Sequence, residues 1–170
     1  MKIIDNAINY EDFNRIKSIM TSSGFQWFYN HSVEFDSSNY GGYDSNYYFT
    51  HLFMFNEGHD DKYVYSTSDW FDILTPIIGV LKPKSLIRVK GNMYPSTPKV
   101  IHHKNHVDME YEHKGALFYI NSNDGLTVLH DGTEIESVEN RLLLFDASKA
   151  HHSTTCTNDK VRININFNYF

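Results

Sequence analysis

The residues best suited to metal chemistry are a histidine and an aspartate two positions apart, in His106-Val107-Asp108. On a strand, side chains two positions apart project from the same face, so both groups can reach one metal ion. The pair His151-His152 follows downstream, and Arg162 comes eleven residues after His151. Two histidines and one carboxylate are typical of an Fe(II) site that keeps positions open for substrate and oxygen. A guanidinium after the third ligand suits the distal carboxylate of a small dicarboxylate.

The His-x-Asp spacing is not specific by itself, because His59-Asp60-Asp61 repeats it in an acidic stretch. Only the first copy is followed by an ordered series of further signals. These are Phe118-Tyr119-Ile120-Asn121, Gly125 near a turn, Leu142-Leu143-Leu144-Phe145-Asp146, the histidine pair and Arg162. We therefore predict the metal site at the first copy and a structural loop at the second.

The elements that would position these residues are strands, because the sequence alternates with a period of two after residue 85. Polar side chains share one face in four segments: 88–94, 106–111, 116–121 and 161–167. One interpretation is an ordinary sheet with a solvated outer face. The other is a barrel or sandwich with a polar cavity, which the mixture of Tyr, Asn and Arg with metal-ligand residues favours.

The first half of the chain predicts supporting helices. Residues 10–22 place Phe13, Ile16 and Met20 on one helical stripe. Residues 69–81 predict a second helix, capped by Ser68 and kinked at Pro76. Residues 37–48 are rich in Ser, Asn, Tyr and Gly and predict a long loop, whose 39–43 part suits a lid over substrate.

Composition narrows the class of protein. The chain has 170 residues, 41% hydrophobic and 21% charged, with a formal net charge of −6. This predicts one folded domain over 1–170, with helical support and loops in 1–84 and a strand-rich core in 85–170. The negative charge argues against a general nucleic-acid binder. No apolar run is long enough for a membrane span, and the single Cys156 predicts a reducing, cytoplasmic location.

From Arg88 onward the sequence resembles the Fe(II)- and 2-oxoglutarate-dependent oxygenases, specifically their prolyl 4-hydroxylase-like branch. The matching motifs occur in the family order: Tyr94-Pro95, His106-x-Asp108, Tyr119-Ile120-Asn121, Phe145-Asp146 with His151 five residues beyond, and Arg162. The resemblance implies a mainly β (α+β) fold, a double-stranded β-helix of the jelly-roll or cupin-like type, with N-terminal supporting helices.

Carried over residue by residue, the resemblance implies that His106, Asp108 and His151 bind Fe(II). It makes Arg162 the partner of the C5 carboxylate of 2-oxoglutarate, with the Tyr119 hydroxyl beside it and Tyr94 closing the pocket. Neighbouring side chains on an extended segment point in opposite directions, so His151 and His152 are alternatives. The spacing from Phe145-Asp146 favours His151. Asn121, Asn164 and Asn166 are implied as supporting or pocket residues.

The resemblance further implies a dioxygenase that uses O2 and releases succinate and CO2. A prolyl residue in a peptide or protein is the implied substrate. The alternatives are an oxygenase acting on a small molecule or a nucleobase, and a catalytically silent jelly-roll binding module.

Several other residues carry weaker expectations. His102 and His103 are predicted as surface histidines, and His113 and His130 beside turns receive no role. Cys156 is predicted to be a small buried residue. Residues 82–104 contain six basic and no acidic residues. They form either a solvated edge or a rim for an anionic or polypeptide substrate, in which Arg88 and Lys90 also compete for a cosubstrate carboxylate.

Overall fold

The computed structural model describes residues 1–33, 47–59 and 62–170. The order of elements is β1 Lys2–Ile4, α1 Tyr10–Met20, β2 Phe28–Asn30, β3 Tyr48–His59, β4 Lys62–Thr67, a 3-10 helix Phe71–Leu74, α2 Thr75–Leu81, β5 Leu86–Pro95, β6 Lys114–Tyr119, β7 Asn123–Leu129, β8 Glu134–Ser137, β9 Leu142–Asp146, β10 His151–Ser153 and β11 Val161–Tyr169. The chain is thus mainly β, as the sequence predicted. The predicted lid at 39–43 and the second His-x-Asp copy at 59–61 lie outside the residues whose side chains are described.

Two sheets form the framework. The large sheet has the strand order β1-β9-β6-β11-β5-β3-β2, with β4 paired to β3. The small sheet has the order β10-β7-β8. All pairings between these strands are antiparallel. This arrangement is the predicted jelly roll, in which two sheets face each other.

The alternation of strand residues gives the large sheet two different faces. Phe118 of β6 belongs to the main apolar cluster with Phe13, Ile16 and Met20 of α1. Its neighbours Leu117 and Tyr119 belong to a second cluster with Leu129 and Ile135 of the small sheet. One face therefore packs against the N-terminal helices, and the other faces the small sheet.

Several predicted elements differ in the structure. Residues 1–84, predicted as helices and loops, also contain the strands β1, β2, β3 and β4. The second helix does not run unbroken from residue 69 with a kink, because a 3-10 helix precedes α2 and Pro76 lies in the first turn of α2. Proline is tolerated there because the first amides of a helix lack intrahelical partners. Ser68 lies just before the 3-10 helix, and its Oγ accepts a hydrogen bond from the Trp70 amide at 3.3 Å. Tyr48, predicted in a loop, begins β3 and is buried.

The segment 106–111 was predicted as a strand and is not one. Only His106 makes a strand-like bridge there, to His151. The Asp108 amide instead donates to the carbonyl of Ala147 at 3.3 Å. Because the backbone hydrogen bonds of His106 and Asp108 go to His151 and to Ala147, the segment does not follow one partner strand. It is a loop held at the edge of the small sheet.

Among the described residues, neither helix has the length and apolar content to cross a bilayer.

Candidate active site

Three side chains of the types that bind metal ions meet at the edge of the small sheet. One ligand atom from each of His106, Asp108 and His151 lies within 4.8 Å of the other two. Two backbone hydrogen bonds, each 2.9 Å, join His106 to His151 in both directions. This reciprocal bridge places the two rings side by side, with centroids 4.8 Å apart.

Backbone carbonyls orient both imidazoles. Nδ1 of His151 lies 2.9 Å from the carbonyl oxygen of Lys149, and Nδ1 of His106 lies 3.4 Å from that of Lys104. A carbonyl only accepts, so each ring holds its proton on Nδ1 and leaves Nε2 as a free electron pair. Nε2 of His151 is 3.7 Å from Oδ2 of Asp108. A second nitrogen donating to a carbonyl is typical of metal-binding histidines.

The Asp108 carboxylate is buried and has three donors. Arg88 forms an ion pair with its Oδ1 at 2.9 Å, and Oδ2 accepts from Asn166 at 3.0 Å and Asn168 at 2.9 Å. Burial opposes ionisation, yet the positive charge of Arg88, the nearby His151 and the two amides outweigh it. They hold the pKa of Asp108 well below its usual range. The residue is therefore an anion at neutral pH.

These residues fit a divalent metal of the Fe(II) type. Two imidazole nitrogens and one ionised carboxylate oxygen form the set that such ions prefer, and one side of the set opens into a pocket. Burial, followed by the neighbouring His151, lowers the pKa of His106, which keeps its Nε2 unprotonated.

Arg162 is the largest fully buried side chain in the described part of the chain. Its Nε donates to Ser137 Oγ at 2.7 Å, and one terminal nitrogen donates to Thr127 Oγ1 at 2.9 Å. The guanidinium lies 5.6 Å from the Tyr94 ring and 5.8 Å from the Tyr119 ring. Among the described residues, no carboxylate forms an ion pair with it. A buried cation held only by hydroxyls, a carbonyl and aromatic faces is suited to an anionic ligand.

The pocket lies between the two sheets. Its walls come from β3, β5, β6, β7, β10 and β11, and they include Tyr48, Lys90, Asn92, Tyr94, Asn164 and Asn166 beside the cluster of His106, Asp108 and His151. The polar faces predicted for 88–94 and 161–167 thus line a cavity rather than an outer surface. Tyr119 lies behind the pocket wall, and its hydroxyl donates to Thr127 at 2.9 Å.

Some predicted residues occupy other places. Asn121 does not line the pocket, because its amide donates to Asp159 and to the carbonyl of Val161, both at 2.7 Å. It anchors the start of β11. Arg88 pairs with Asp108 and so does not compete for a cosubstrate carboxylate. His152 is half-buried at the pocket mouth and contacts His102 and Asn105.

Two histidines were misjudged from the sequence. His103 was predicted on the surface, yet it is buried and Nδ1 lies 2.7 Å from Ser153 Oγ. His113, given no role, is buried too, and its Nε2 accepts from Nδ2 of Asn168 at 3.2 Å. Because Asn168 also donates to Asp108, His113 supports the carboxylate indirectly. The only available signal was the number of histidines clustered near residue 106.

Comparison with known proteins gives matches at the level of structure only. No family model matches the sequence, and no curated protein matches it. Among solved structures, a 2OG-Fe(II) oxygenase family oxidoreductase from Burkholderia pseudomallei aligns with a TM-score of 0.71 and 11% identity, over 98% of this chain and 83% of that one.

Two prolyl hydroxylases also align at 11% identity. The enzyme from Pseudomonas putida, a prolyl-4-hydroxylase, gives a TM-score of 0.60 over 99% of this chain and 91% of that one. The enzyme from Trichoplax adhaerens, solved with a peptide fragment of the hypoxia inducible factor oxygen degradation domain, gives 0.62 over 99% and 82%. The fold is therefore that of the 2OG-Fe(II) oxygenases and prolyl hydroxylases, which confirms the predicted fold and the structural side of the resemblance.

Proposed function

We propose that this protein is an Fe(II)- and 2-oxoglutarate-dependent dioxygenase that hydroxylates its substrate. The observation that carries the proposal is the occurrence of two features at one pocket. One is the cluster of His106, Asp108 and His151, which lines the pocket. The other is the buried Arg162, which contacts the lining residues Tyr94 and Thr127 and has no carboxylate partner among the described residues.

In this proposal His106, Asp108 and His151 hold Fe(II), with the two Nε2 atoms and one carboxylate oxygen as ligands. When bound, the iron supplies oxygen activation coupled to the conversion of 2-oxoglutarate into succinate and CO2. The chain supplies the orientation of the ligands through the carbonyls of Lys104 and Lys149, and Arg88 keeps Asp108 ionised.

Arg162 binds the C5 carboxylate of 2-oxoglutarate. The side chains of Ser137 and Thr127 accept hydrogen bonds from two of its nitrogens. Arg162 is therefore already ordered and loses little conformational entropy when the anion binds. The Tyr119 hydroxyl donates a hydrogen bond to Thr127, and the Tyr94 ring, which lines the pocket, has its centre 5.6 Å from the guanidinium. Burial raises the pKa of both tyrosines, so they remain neutral donors.

The substrate we propose is a prolyl residue in a peptide or protein. Two of the similar structures are prolyl hydroxylases, and one of them is in complex with a peptide. The alternative substrates are a small molecule and a nucleobase.

The direct test is anaerobic loading with Fe(II), followed by admission of O2 and measurement of succinate formed from 2-oxoglutarate. We expect succinate from the native chain, and loss of both Fe(II) binding and succinate in Asp108→Ala and His151→Ala. His130→Ala, a change on an exposed turn, is the matched control. Retention of Fe(II) by His151→Ala and its loss in His152→Ala would reassign the third ligand. No succinate from the iron-loaded native chain would indicate a catalytically silent binding module.

A further inference from the structure

One cation in the pocket has no task in the chemistry proposed above. Lys90 lies on β5, and its side chain lines the pocket together with His106, Asp108 and His151. Its ammonium lies 5.8 Å from the centre of the Tyr48 ring. Within the described residues, no carboxylate forms an ion pair with Lys90, since Asp108 is engaged by Arg88.

The surroundings of Lys90 favour an anion. Burial, and then repulsion by Arg88, lower the pKa of Lys90 to about 8, with Asp108 acting in the opposite direction. A partly buried ammonium without a countercharge is unfavourable, and a ligand carboxylate would relieve this cost.

The position of Lys90 makes 2-oxoglutarate an unsuitable partner. Lys90 pairs in register with Asn166 on β11, and Asn166 is four residues beyond Arg162 on the same strand face. Four residues of a strand span about 13 Å. In the function proposed above, the far carboxylate of 2-oxoglutarate is on Arg162 and its other end is at the metal, so both of its charged ends already have partners. We therefore assign the anion at Lys90 to a second molecule.

Two amide oxygens beside Lys90 need hydrogen-bond donors. Nδ2 of Asn166 donates to Asp108, and Nδ2 of Asn92 donates to Oδ1 of Asn164, both at 3.0 Å. These bonds orient the amides, and the buried Oδ1 atoms of Asn92 and Asn166 have no partner among the described residues. Buried acceptors are normally satisfied. 2-Oxoglutarate as a dianion carries no N–H or O–H, so it cannot satisfy them.

We infer that the oxidised substrate carries a carboxylate that binds Lys90 and an N–H or O–H group that donates to Asn92 or Asn166. This combination describes an amino acid, either free or as an acidic residue next to the oxidised residue in a peptide. The inference rests on the proposed function, because it assigns the anion to the substrate of that same pocket. Lys90 is then a specificity-determining residue.

The test is equilibrium binding to the protein loaded with Mn(II) and 2-oxoglutarate under anaerobic conditions, where no turnover occurs. Two matched pairs of probes separate the sources of the carboxylate. The first pair is L-proline and L-prolinamide, and the second is an acetylated Glu-Pro-Gly amide and its Gln-Pro-Gly counterpart. In at least one pair we expect the probe with the carboxylate to bind about 10-fold or more tightly than the probe without it, as a partly buried charge pair requires.

The Lys90→Met variant should lose this preference, whereas Lys90→Arg should retain most of it. Both should keep the native affinity for 2-oxoglutarate, and Lys84→Met, a change of an exposed lysine, should behave as the native chain does. Equal binding of the probes with and without the carboxylate in both pairs would overturn the inference, as would the absence of any binding by the carboxylate probes. A Lys90→Met variant that loses affinity for 2-oxoglutarate in the absence of any probe would also overturn the inference. Failure of the native chain to bind 2-oxoglutarate is measured separately and would instead refute the proposed function.

Discussion

At the scale of single residues, Asp108 shows how the chain prepares a carboxylate for a metal. Its two oxygens already have one guanidinium and two amide donors, so the anion exists before any ion arrives. A bound metal would then share the Asp108 carboxylate with Arg88. It would not have to displace a proton from Asp108, because the carboxylate is already ionised. Arg88 is in this sense a positioning residue.

Replacement of Arg88 by Met tests that role. Because the change leaves a buried carboxylate without its countercharge, we expect the metal-free protein to lose about 2–4 kcal/mol of unfolding free energy. Saturating Mn(II) should restore more stability to the variant than it adds to the native chain, since the metal replaces the lost positive charge. Urea unfolding with and without Mn(II) measures both effects.

The control for this experiment is Arg141→Met, which removes the exposed ion pair between Arg141 and Asp5. Such a pair contributes below about 1 kcal/mol, and its loss should not depend on the metal. Equal stabilisation by Mn(II) in native and Arg88→Met proteins would rule out the shared-carboxylate arrangement.

The buried His103 should make the stability of the protein depend on pH. Burial, and then the positive charge of Arg162, lower the pKa of His103 from 6.5 to about 4. Between these values the unfolded chain binds a proton that the folded chain does not, so unfolding free energy falls as the pH decreases from 6.5 to 4. The loss amounts to at most about 3 kcal/mol. His103→Asn should flatten this part of the stability curve of the metal-free protein, and His130→Asn, on the surface, should not. Parallel curves for native and His103→Asn would contradict this account.

At the scale of elements, the close approach of β7 to β11 positions Arg162. A Cβ on Gly125 of β7 would lie 2.5 Å from Cδ and 3.0 Å from Nε of Arg162. No side chain other than the hydrogen of glycine fits there without moving the guanidinium. The small sheet therefore holds the proposed carboxylate-binding arginine by its backbone as well as by Ser137 and Thr127.

Gly125→Ala tests this contact without removing any polar group. We expect the dissociation constant for 2-oxoglutarate to rise by about 10-fold or more, because Arg162 is displaced from its hydrogen bonds. Calorimetric titration of the Mn(II)-loaded protein gives the value. Gly79→Ala is the control, since nothing lies within 4 Å of the added methyl group there. An unchanged dissociation constant in Gly125→Ala would show that Arg162 tolerates the displacement.

At the scale of the whole molecule, the large sheet lies between the main apolar cluster, which stabilises the fold, and the pocket with its candidate site residues. Its helix side holds the main apolar cluster, where Phe13 of α1 meets the edge of Phe118 with ring centroids 6.1 Å apart. Its other side carries Arg88, Lys90, Arg162 and the pocket asparagines. Changes on the helix side should therefore alter folding free energy without altering ligand affinity.

Phe13→Ala is the corresponding prediction. Truncation of a buried phenylalanine should cost about 3–5 kcal/mol of unfolding free energy. The folded fraction should bind 2-oxoglutarate with the native dissociation constant, because the sheet lies between Phe13 and the pocket. Urea unfolding and titration at a temperature where the variant is folded measure the two quantities. A dissociation constant that rises with the loss of stability would mean that the helix side also shapes the pocket.

Local patterns in the sequence determined α1, β5 and β11 and the inward faces of these elements. The period of two along 88–94 and 161–167 correctly placed Arg88, Lys90, Asn92 and Asn164 on one side, and the helical stripe of residues 10–22 correctly predicted the buried face of α1. These patterns are readable because consecutive residues share one backbone geometry, so the direction of a side chain follows from its position along the element.

Only the tertiary structure decided which polar groups meet. The bridge between His106 and His151, the ion pair of Arg88 with Asp108, and the burial of His103 and His113 all join residues brought together by strand pairing and loop closure. No local period encodes such contacts, because the partner of a buried polar group depends on which distant segment lies opposite it. The physical reason is that the local backbone sets the direction in which a side chain points. The charged or hydrogen-bonding partner that it meets there comes from a distant segment, which only the whole fold brings near.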